Sequence, residues 1–277
     1  MKLNRSKIRP LLLLGLMVTL LTVLSGCGDN LAQQDVMARV KRTNHITWGV
    51  KNDTRLFGLM NIKTGEIEGF DVDIATAISQ EIFGKDVDVK FVPVTSNTRL
   101  PLLKNGNIDA LAATMTITPE RKKEIMFSDT YFNAGQAIMV KKGSKIKSVK
   151  DLTSGTKVLG LQGSNSVANI KKYAPDAKVL QLADTAQAFT ALKSGQGDAM
   201  TSDNGILYGL NRDDPNYQVV GGTFTNEPYG IGMNKGQEKF AKAVNQALKK
   251  IEADGTYQKI VDKWFSKVAG FDGSVIK

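Results

Sequence analysis

IDALAATMTITPER, residues 108–121, joins the two signals from which the fold is read. Ile108 to Ala113 is an apolar run fit for a buried strand. Thr118-Pro119-Glu120 then starts a helix. The threonine oxygen can cap it, proline fits the first helical position because its missing N–H would be unpaired there anyway, and glutamate suits the positive end of the dipole. The same alternation extends both ways. Upstream, Ile46–Val50 and Val87–Val92 read as strands, Asn61–Gly65 as a turn, and Arg99–Lys104 as a short helix. Asp71 reads as the cap of a helix burying Ile74, Ile78 and Ile82 on one face.

Downstream, a second series runs through a strand at Lys157–Leu161, a helix after Ser166, a strand at Lys178–Gln181, a helix capped by Asp184 and a short strand at Asp198–Met200. The final segment places Phe240, Val244, Leu248 and Ile251 on one helical face, then Tyr257, Ile260 and Trp264 beyond the Asp254-Gly255 break. This pattern predicts an α/β protein with helices covering mostly parallel sheets.

At 277 residues, 42% hydrophobic and 23% charged, the chain can bury one large core or two medium ones. Of its 37 basic residues, Lys2, Arg5, Lys7 and Arg9 fall in the first 26, which leaves 33 against 27 acidic, or +6. No run of five or more basic residues points to nucleic acid, so the excess reads as a solvated surface. Cys27 is the single cysteine and His45 the single histidine. That removes disulfide frameworks, cysteine-histidine zinc sites and histidine triads, and the expectation is no enzyme, no metal and no cofactor, although carboxylate chemistry is not thereby excluded.

The basic segment Met1–Arg9, the apolar run Leu11–Leu24 and the small residues Ser25 and Gly26 read as a secretory signal. The run is about 14 residues, roughly 21 Å of helix, short for a hydrocarbon core of about 30 Å. Leu24-Ser25-Gly26-Cys27 resembles the lipobox of bacterial lipoproteins, which implies acylation of Cys27 and a membrane anchor at the outer face of the cell membrane or in the periplasm. Residues 1–26 are then the signal peptide and 27–44 a lipidated, polar tether.

Four further segments carry a second resemblance: Gly69-Phe70-Asp71-Val72-Asp73-Ile74-Ala75, Thr116-Ile117-Thr118-Pro119-Glu120-Arg121, Phe127-Ser128-Asp129-Thr130-Tyr131, and Gly255-Thr256-Tyr257 leading to Lys263-Trp264-Phe265. Their order and spacing resemble the polar amino-acid branch of bacterial solute-binding proteins, family 3, that serve ABC importers. The resemblance implies a two-lobed, type II periplasmic-binding-protein fold with the ligand enclosed between lobes. Crossovers fall near Asn133–Val140 and Phe224–Gly232, which assigns 45–135 with 229–277 to the first lobe and 136–228 to the second. The implied partners are a free amino acid and a permease with its ATPase. The chain is expected to be exported and to act as a monomer.

A free amino acid needs oriented donors opposite its carboxylate and an acidic acceptor opposite its ammonium. By resemblance, Thr114, Thr116 and Arg121 hold the carboxylate from the first lobe, Ser164 and Asn165 close on it from the second, and Asp203 accepts from the ammonium. Read from the residues alone, Asp203 could instead cap the helix starting at Asn204, and Arg121 could be a solvated helix arginine. Lys51, in Gly49-Val50-Lys51, and Arg99 resemble the basic pair that meets a distal carboxylate, so glutamate is expected before aspartate. Asp53 could assist the ammonium, as in glutamine binders, or pair with Lys51 or Arg55. Phe57 is expected against the ligand's aliphatic stem. The alternatives are glutamine or another polar amino acid and, more distantly, a dehydratase on the same fold.

Overall fold

The structure, a computed structural model, describes residues 34–268. The signal peptide and the Cys27 lipidation site lie outside the described residues. The first lobe runs through α1 (Val36–Thr43), β1 (His45–Val50), β2 (Asp53–Thr54), β3 (Gly58–Met60), β4 (Ile67–Glu68), α2 (Phe70–Phe83), β5 (Asp88–Pro93), α3 (Arg99–Lys104), β6 (Ala110–Ala112), α4 (Pro119–Glu124) and β7 (Met126–Ala134). The second contains β8 (Gln136–Lys141), β9 (Lys157–Leu161), α5 (Ser166–Tyr173), β10 (Lys178–Leu182), α6 (Thr185–Lys193), β11 (Ala199–Asp203), α7 (Asn204–Asp213) and β12 (Tyr217–Val220). The chain then returns to the first lobe through β13 (Glu227–Met233), α8 (Glu238–Ala253) and α9 (Thr256–Phe265).

Each lobe is built on a five-stranded sheet, ordered β5-β1-β6-β13-β7 in the first and β10-β9-β11-β8-β12 in the second. Three neighbouring strands of each are parallel and joined by helices, and the fourth, β13 or β8, runs antiparallel to both its neighbours. The sheets are therefore more mixed than expected. The antiparallel component follows from the crossovers: β7 leaves the first lobe beside β13, which re-enters it in the opposite sense. At the first crossover, a Cβ on Gly135 would sit 2.6 Å from Thr223 Cβ and 2.8 Å from the Thr225 carbonyl, so the two crossing segments can touch only because that residue has no side chain.

The first-lobe core joins Trp48, Ile74 and Ile78 to Phe240, Val244, Leu248 and Ile251, the faces anticipated from periodicity. Burying each such aliphatic side chain contributes about 1.5–3 kcal/mol. Trp48 Nε1 donates to Ser79 Oγ at 2.8 Å, which satisfies the indole where water is excluded. A second core gathers Met139, Leu159, Leu161, Phe189, Met200 and Leu207.

Two expectations are corrected. The stretch expected as tether, 27–44, contains α1 in its described part. Asp35 caps α1 by accepting from Ala38 N, Val36 and Val40 are buried, and Val36 N donates to Gln237 Oε1 at 3.0 Å, so this helix is docked on the first lobe. Polar composition hid it because two apolar residues at i and i+4 suffice to seat a two-turn helix. Asp71 is not a cap either. Gly69 holds that position, and the Asp71 carboxylate turns into the core, accepting from Tyr131 Oη and Thr114 N, each at 2.8 Å.

Candidate functional site

The carboxyl ends of parallel strands in the two lobes face one another, the usual location of ligand-binding loops in α/β sheets. Lys51 follows β1, Thr114 and Thr116 follow β6, Ser164 and Asn165 follow β9, and Asp203 ends β11. Lys51, Arg99, Thr114, Ser164, Asn165 and Asp203 line one enclosed cavity, together with Ser96, Leu161, Ser166, Thr185, Ser202 and Ile206. The cavity measures ≈ 20 Å³, room for a water but not for an amino acid, so a guest of that size has to enter a more open arrangement. Closure leaves little clearance elsewhere too: a Cβ on Gly163, whose φ is +75°, would lie 2.8 Å from Asn97 Cα in the opposite lobe.

On the first-lobe side, Thr114 adopts a left-handed backbone (φ 46°), uncommon for threonine. Its N–H is held by Asp71, its hydroxyl donates to the Ala113 carbonyl at 2.9 Å, and its own carbonyl accepts from Arg99 Nη1 at 3.2 Å. Arg99 Nη1 also donates to the Ala113 carbonyl at 2.6 Å, whereas the buried Nε has no partner. Burial, followed by repulsion from Arg121, brings the Arg99 guanidinium down to about 9, still cationic at neutral pH. Arg121 is no solvated helix arginine. Thr118 caps α4 as read from the sequence, and Arg121 folds back so that Nη1 donates to the Thr116 carbonyl at 2.8 Å. Its burial lowers its pKa while the negative charges of Asp203 and Glu227 oppose that fall.

Asp203 occupies the cap position of α7 yet makes no capping bond. Its Oδ2 accepts from Tyr229 Oη at 2.6 Å, and the buried Oδ1 has no partner. Burial raises this carboxyl to about 7 against the pull of the Tyr229 hydroxyl and of Arg121 and Arg99. Asp71 is likewise raised to about 7 by burial, although Tyr131 and Thr114 bond it. An unpaired, buried acidic oxygen facing the cavity suits a cationic group of a guest, because that guest supplies the charge compensation the protein omits.

Asp53 pairs with Lys51, one of the alternatives left open by the sequence: Lys51 Nζ lies 3.3 Å from Asp53 Oδ1. The other carboxylate oxygen accepts from Thr185 N, at the start of α6 in the opposite lobe, at 2.6 Å. Burial would push the Asp53 carboxyl up, but Lys51 and these hydrogen bonds outweigh it and leave it below its ordinary range. Burial lowers the Lys51 ammonium, partly offset by Asp53.

Ser164 Oγ donates to the Leu161 carbonyl at 2.7 Å, and Asn165 faces Thr116 Oγ1 at 3.5 Å across the cleft. Asp53, Thr116 and Arg121 do not line this small void, although Thr116 meets Asn165 and Asp53 meets Thr185 across the cleft. Phe57 does not line the cavity: it is fully buried among Phe70, Phe132, Tyr229 and Phe265, with ring centroids 5.1–6.1 Å away. Reading the sequence leaves unassigned the lining residues Ser96, Leu161, Ser166, Thr185, Ser202 and Ile206, and three groups that bond to or charge the site, Asp71, Tyr229 and Glu227. Glu227 carries a detectable signal, a charge in the crossover Thr225-Asn226-Glu227-Pro228 at the head of an apolar strand. Tyr229 carries none. Among the described residues, no group of three or more His, Cys, Asp or Glu side chains is placed to hold a metal ion.

The family model for bacterial extracellular solute-binding proteins, family 3, matches residues 46–267. The ABC transporter glutamine-binding protein GlnH of Bacillus subtilis (strain 168) is 56% identical over 236 residues, 85% of this chain and 86% of that protein. The glutamine-binding protein of Geobacillus stearothermophilus is 51% identical over 213 residues, 77% of this chain and 81% of that one. Among solved structures, an ancestral arginine-binding protein bound to glutamine superposes with a TM-score of 0.76 at 41% identity, covering 81% of this chain and 99% of its own.

Proposed function

We propose that this chain, which belongs to the bacterial extracellular solute-binding proteins of family 3, binds glutamine between its lobes and delivers it to an ABC importer. Membership of an extracellular family of transport proteins places it outside the cytoplasm. Glutamine replaces glutamate as the preferred ligand for two reasons. The relatives that match at 56% and 51% identity are glutamine-binding proteins. The second reason is electrostatic, and the Lys51–Asp53 ion pair carries it.

A distal carboxylate needs uncompensated positive charge at the far end of the pocket. Here Lys51 already has a carboxylate 3.3 Å away, and Arg99 spends Nη1 on two backbone carbonyls. The cations Lys51, Arg99 and Arg121 stand among four acids, Asp53, Asp71, Asp203 and Glu227, of which Asp71 and Asp203 are raised to about 7, so the site holds no surplus of positive charge reserved for a second ligand carboxylate. In this reading Arg121 and the Thr116 region hold the α-carboxylate, Asp203 takes the α-ammonium, and Lys51 and Arg99 offer donors to the amide oxygen. Binding is reversible, without covalent chemistry.

Two observations favour a second reading, glutamate: Arg99 Nε and Lys51 Nζ are both buried without a hydrogen-bond partner, the latter in spite of its 3.3 Å approach to Asp53, so each cation keeps an unused donor. Calorimetric titration with glutamine, glutamate, aspartate and arginine separates the two. Glutamine is expected to bind most tightly, and a tighter glutamate isotherm would restore the acidic-ligand reading. The proposal also includes secretion through residues 1–26, acylation of Cys27, action as a monomer, and closure of lobe 136–228 on 45–135 with 229–277.

A further inference from the structure

Glu227 is the first residue of β13, at the point where the chain returns from the second lobe, and it is 3% exposed. Its Oε1 accepts from Asn169 Nδ2 at 2.8 Å and from the Thr225 hydroxyl at 2.7 Å, and its Oε2 accepts from Asn165 Nδ2 in a short contact. Asn169 Nδ2 is shared with Gln136 Oε1 at 2.7 Å, and Gln136 N donates to Thr225 Oγ1 at 3.1 Å. Gln136 begins β8 on the other crossover. One buried carboxylate thus ties both crossovers to the first turn of α5.

A carboxylate accepts and does not donate, so the Asn165 amide nitrogen has to face it. The Asn165 carbonyl oxygen is therefore turned the other way, toward the Thr116 hydroxyl of the first lobe at 3.5 Å. The side-chain amide of Asn165 is in consequence not free to donate to a bound carboxylate; what it presents to the cleft is an acceptor. We propose that Glu227 is a positioning residue for lobe closure: by fixing the Asn165 amide it sets the interlobe contact Thr116–Asn165, and so links the hinge to the occupied cleft. This inference rests on the amino-acid-binding reading for its affinity measurements only.

The test is a double-mutant cycle on the full chain, read by glutamine dissociation rate and affinity. Glu227→Gln, which can present a donor and let Asn165 turn over, is expected to speed dissociation about 10-fold with little change in association. Thr116→Val removes the hydroxyl. If Glu227 acts through that contact, adding E227Q to T116V costs much less than adding it to the wild type. Equal losses in both backgrounds would overturn the proposal.

The pair N165D/E227Q reverses donor and acceptor while conserving charge and is expected to recover most of the lost affinity. No recovery counts against the proposal, and failure of all Glu227 variants to fold would reduce the residue to framework and overturn it as well. Amide exchange over residues 165–169 in the ligand-free protein gives a separate readout: it is expected to quicken in E227Q, and unchanged exchange opposes the inference. Absence of glutamine binding by the wild type would sink the functional reading and leave the exchange result to decide this one.

Discussion

The Asp53 carboxylate bridges Lys51 and Thr185: one oxygen lies 3.3 Å from the Lys51 ammonium, and the other takes the backbone N–H of Thr185 across the cleft at 2.6 Å. A single side chain thereby neutralises a buried cation and joins the lobes. Its second contact is made at the amino-terminal end of α6, where free N–H groups and the helix dipole favour negative charge.

Replacing Asp53 with Asn leaves Lys51 buried without compensation, a change that typically costs 3–5 kcal/mol, about the loss seen when one partner of a buried pair is removed. The melting temperature is expected to fall. Selectivity should move toward acidic ligands, with glutamate gaining on glutamine by at least about tenfold, since the guest's carboxylate can then replace the missing one. Unaltered relative affinities in calorimetry would remove Asp53 from the specificity argument.

Arg121→Lys keeps a charge but loses the planar fork and the bond to the Thr116 carbonyl. Affinity for glutamine should drop by about 2–3 kcal/mol, some 30- to 150-fold. An isotherm like that of the wild type would show that Arg121 only props the loop.

The pH dependences of stability and binding should have opposite signs. Asp71 and Asp203 are raised to about 7 by burial, so between about 4, where an unfolded carboxylate titrates, and 7 the folded protein holds more protons than the unfolded. Stability of the empty protein from these two groups is therefore greatest below about 4 and declines as pH rises toward 7. Asp203 has to be ionised to accept from an ammonium, so glutamine binding should tighten over the same interval and release a proton. Melting curves from pH 5 to 8, and calorimetry in buffers of different ionisation enthalpy, test both halves. Asp203→Asn should abolish the proton release.

Gly163→Ala places a Cβ against Asn97 Cα at 2.8 Å, and at φ +75° the new residue is strained as well. The contact exists only when the lobes are together, so closure should suffer more than folding. Glutamine affinity is expected to fall at least about tenfold, with small-angle scattering showing less compaction on ligand addition. Normal compaction with normal affinity would mean that the loop yields without cost.

Cells expressing the full-length chain should incorporate labelled palmitate, and Cys27→Ala should abolish the label and release the protein from membranes, because durable anchoring depends on the acyl chains. Label retained in the Cys27→Ala protein places the lipid elsewhere.

Several site positions were legible because the residues that hold them are contiguous. Thr116–Arg121 contains a cap, a helix start and the arginine that folds back on Thr116, all within about six residues of chain. Asp203 and Lys51 were found at strand ends for a similar reason. The partners of these groups could not be read in the same way. Asp71 had the appearance of a helix cap, since residue type and local position are alike for a cap and for a buried carboxylate in the first turn. Its true partners, Tyr131 and Thr114, lie 60 and 43 residues away. Phe57 was assigned to the ligand, but its aromatic neighbours come from four distant segments, and only their packing shows that it belongs to the core.

Features that depend on neighbours along the chain are readable without coordinates: the α/β alternation, the apolar faces of α2 and α8, the capped α4 and the family pattern carried by four short segments. The electrostatic state of the cleft emerges only on folding. A charge in the sequence is a count, whereas its effect on a ligand depends on what stands within a few ångströms of it in a medium that screens poorly. Lys51 and Arg99 read as two free cations awaiting a carboxylate; once folded, one stands beside Asp53 and the other is engaged with backbone carbonyls, and that pairing is what the proposal of an amide ligand in place of an acid rests on.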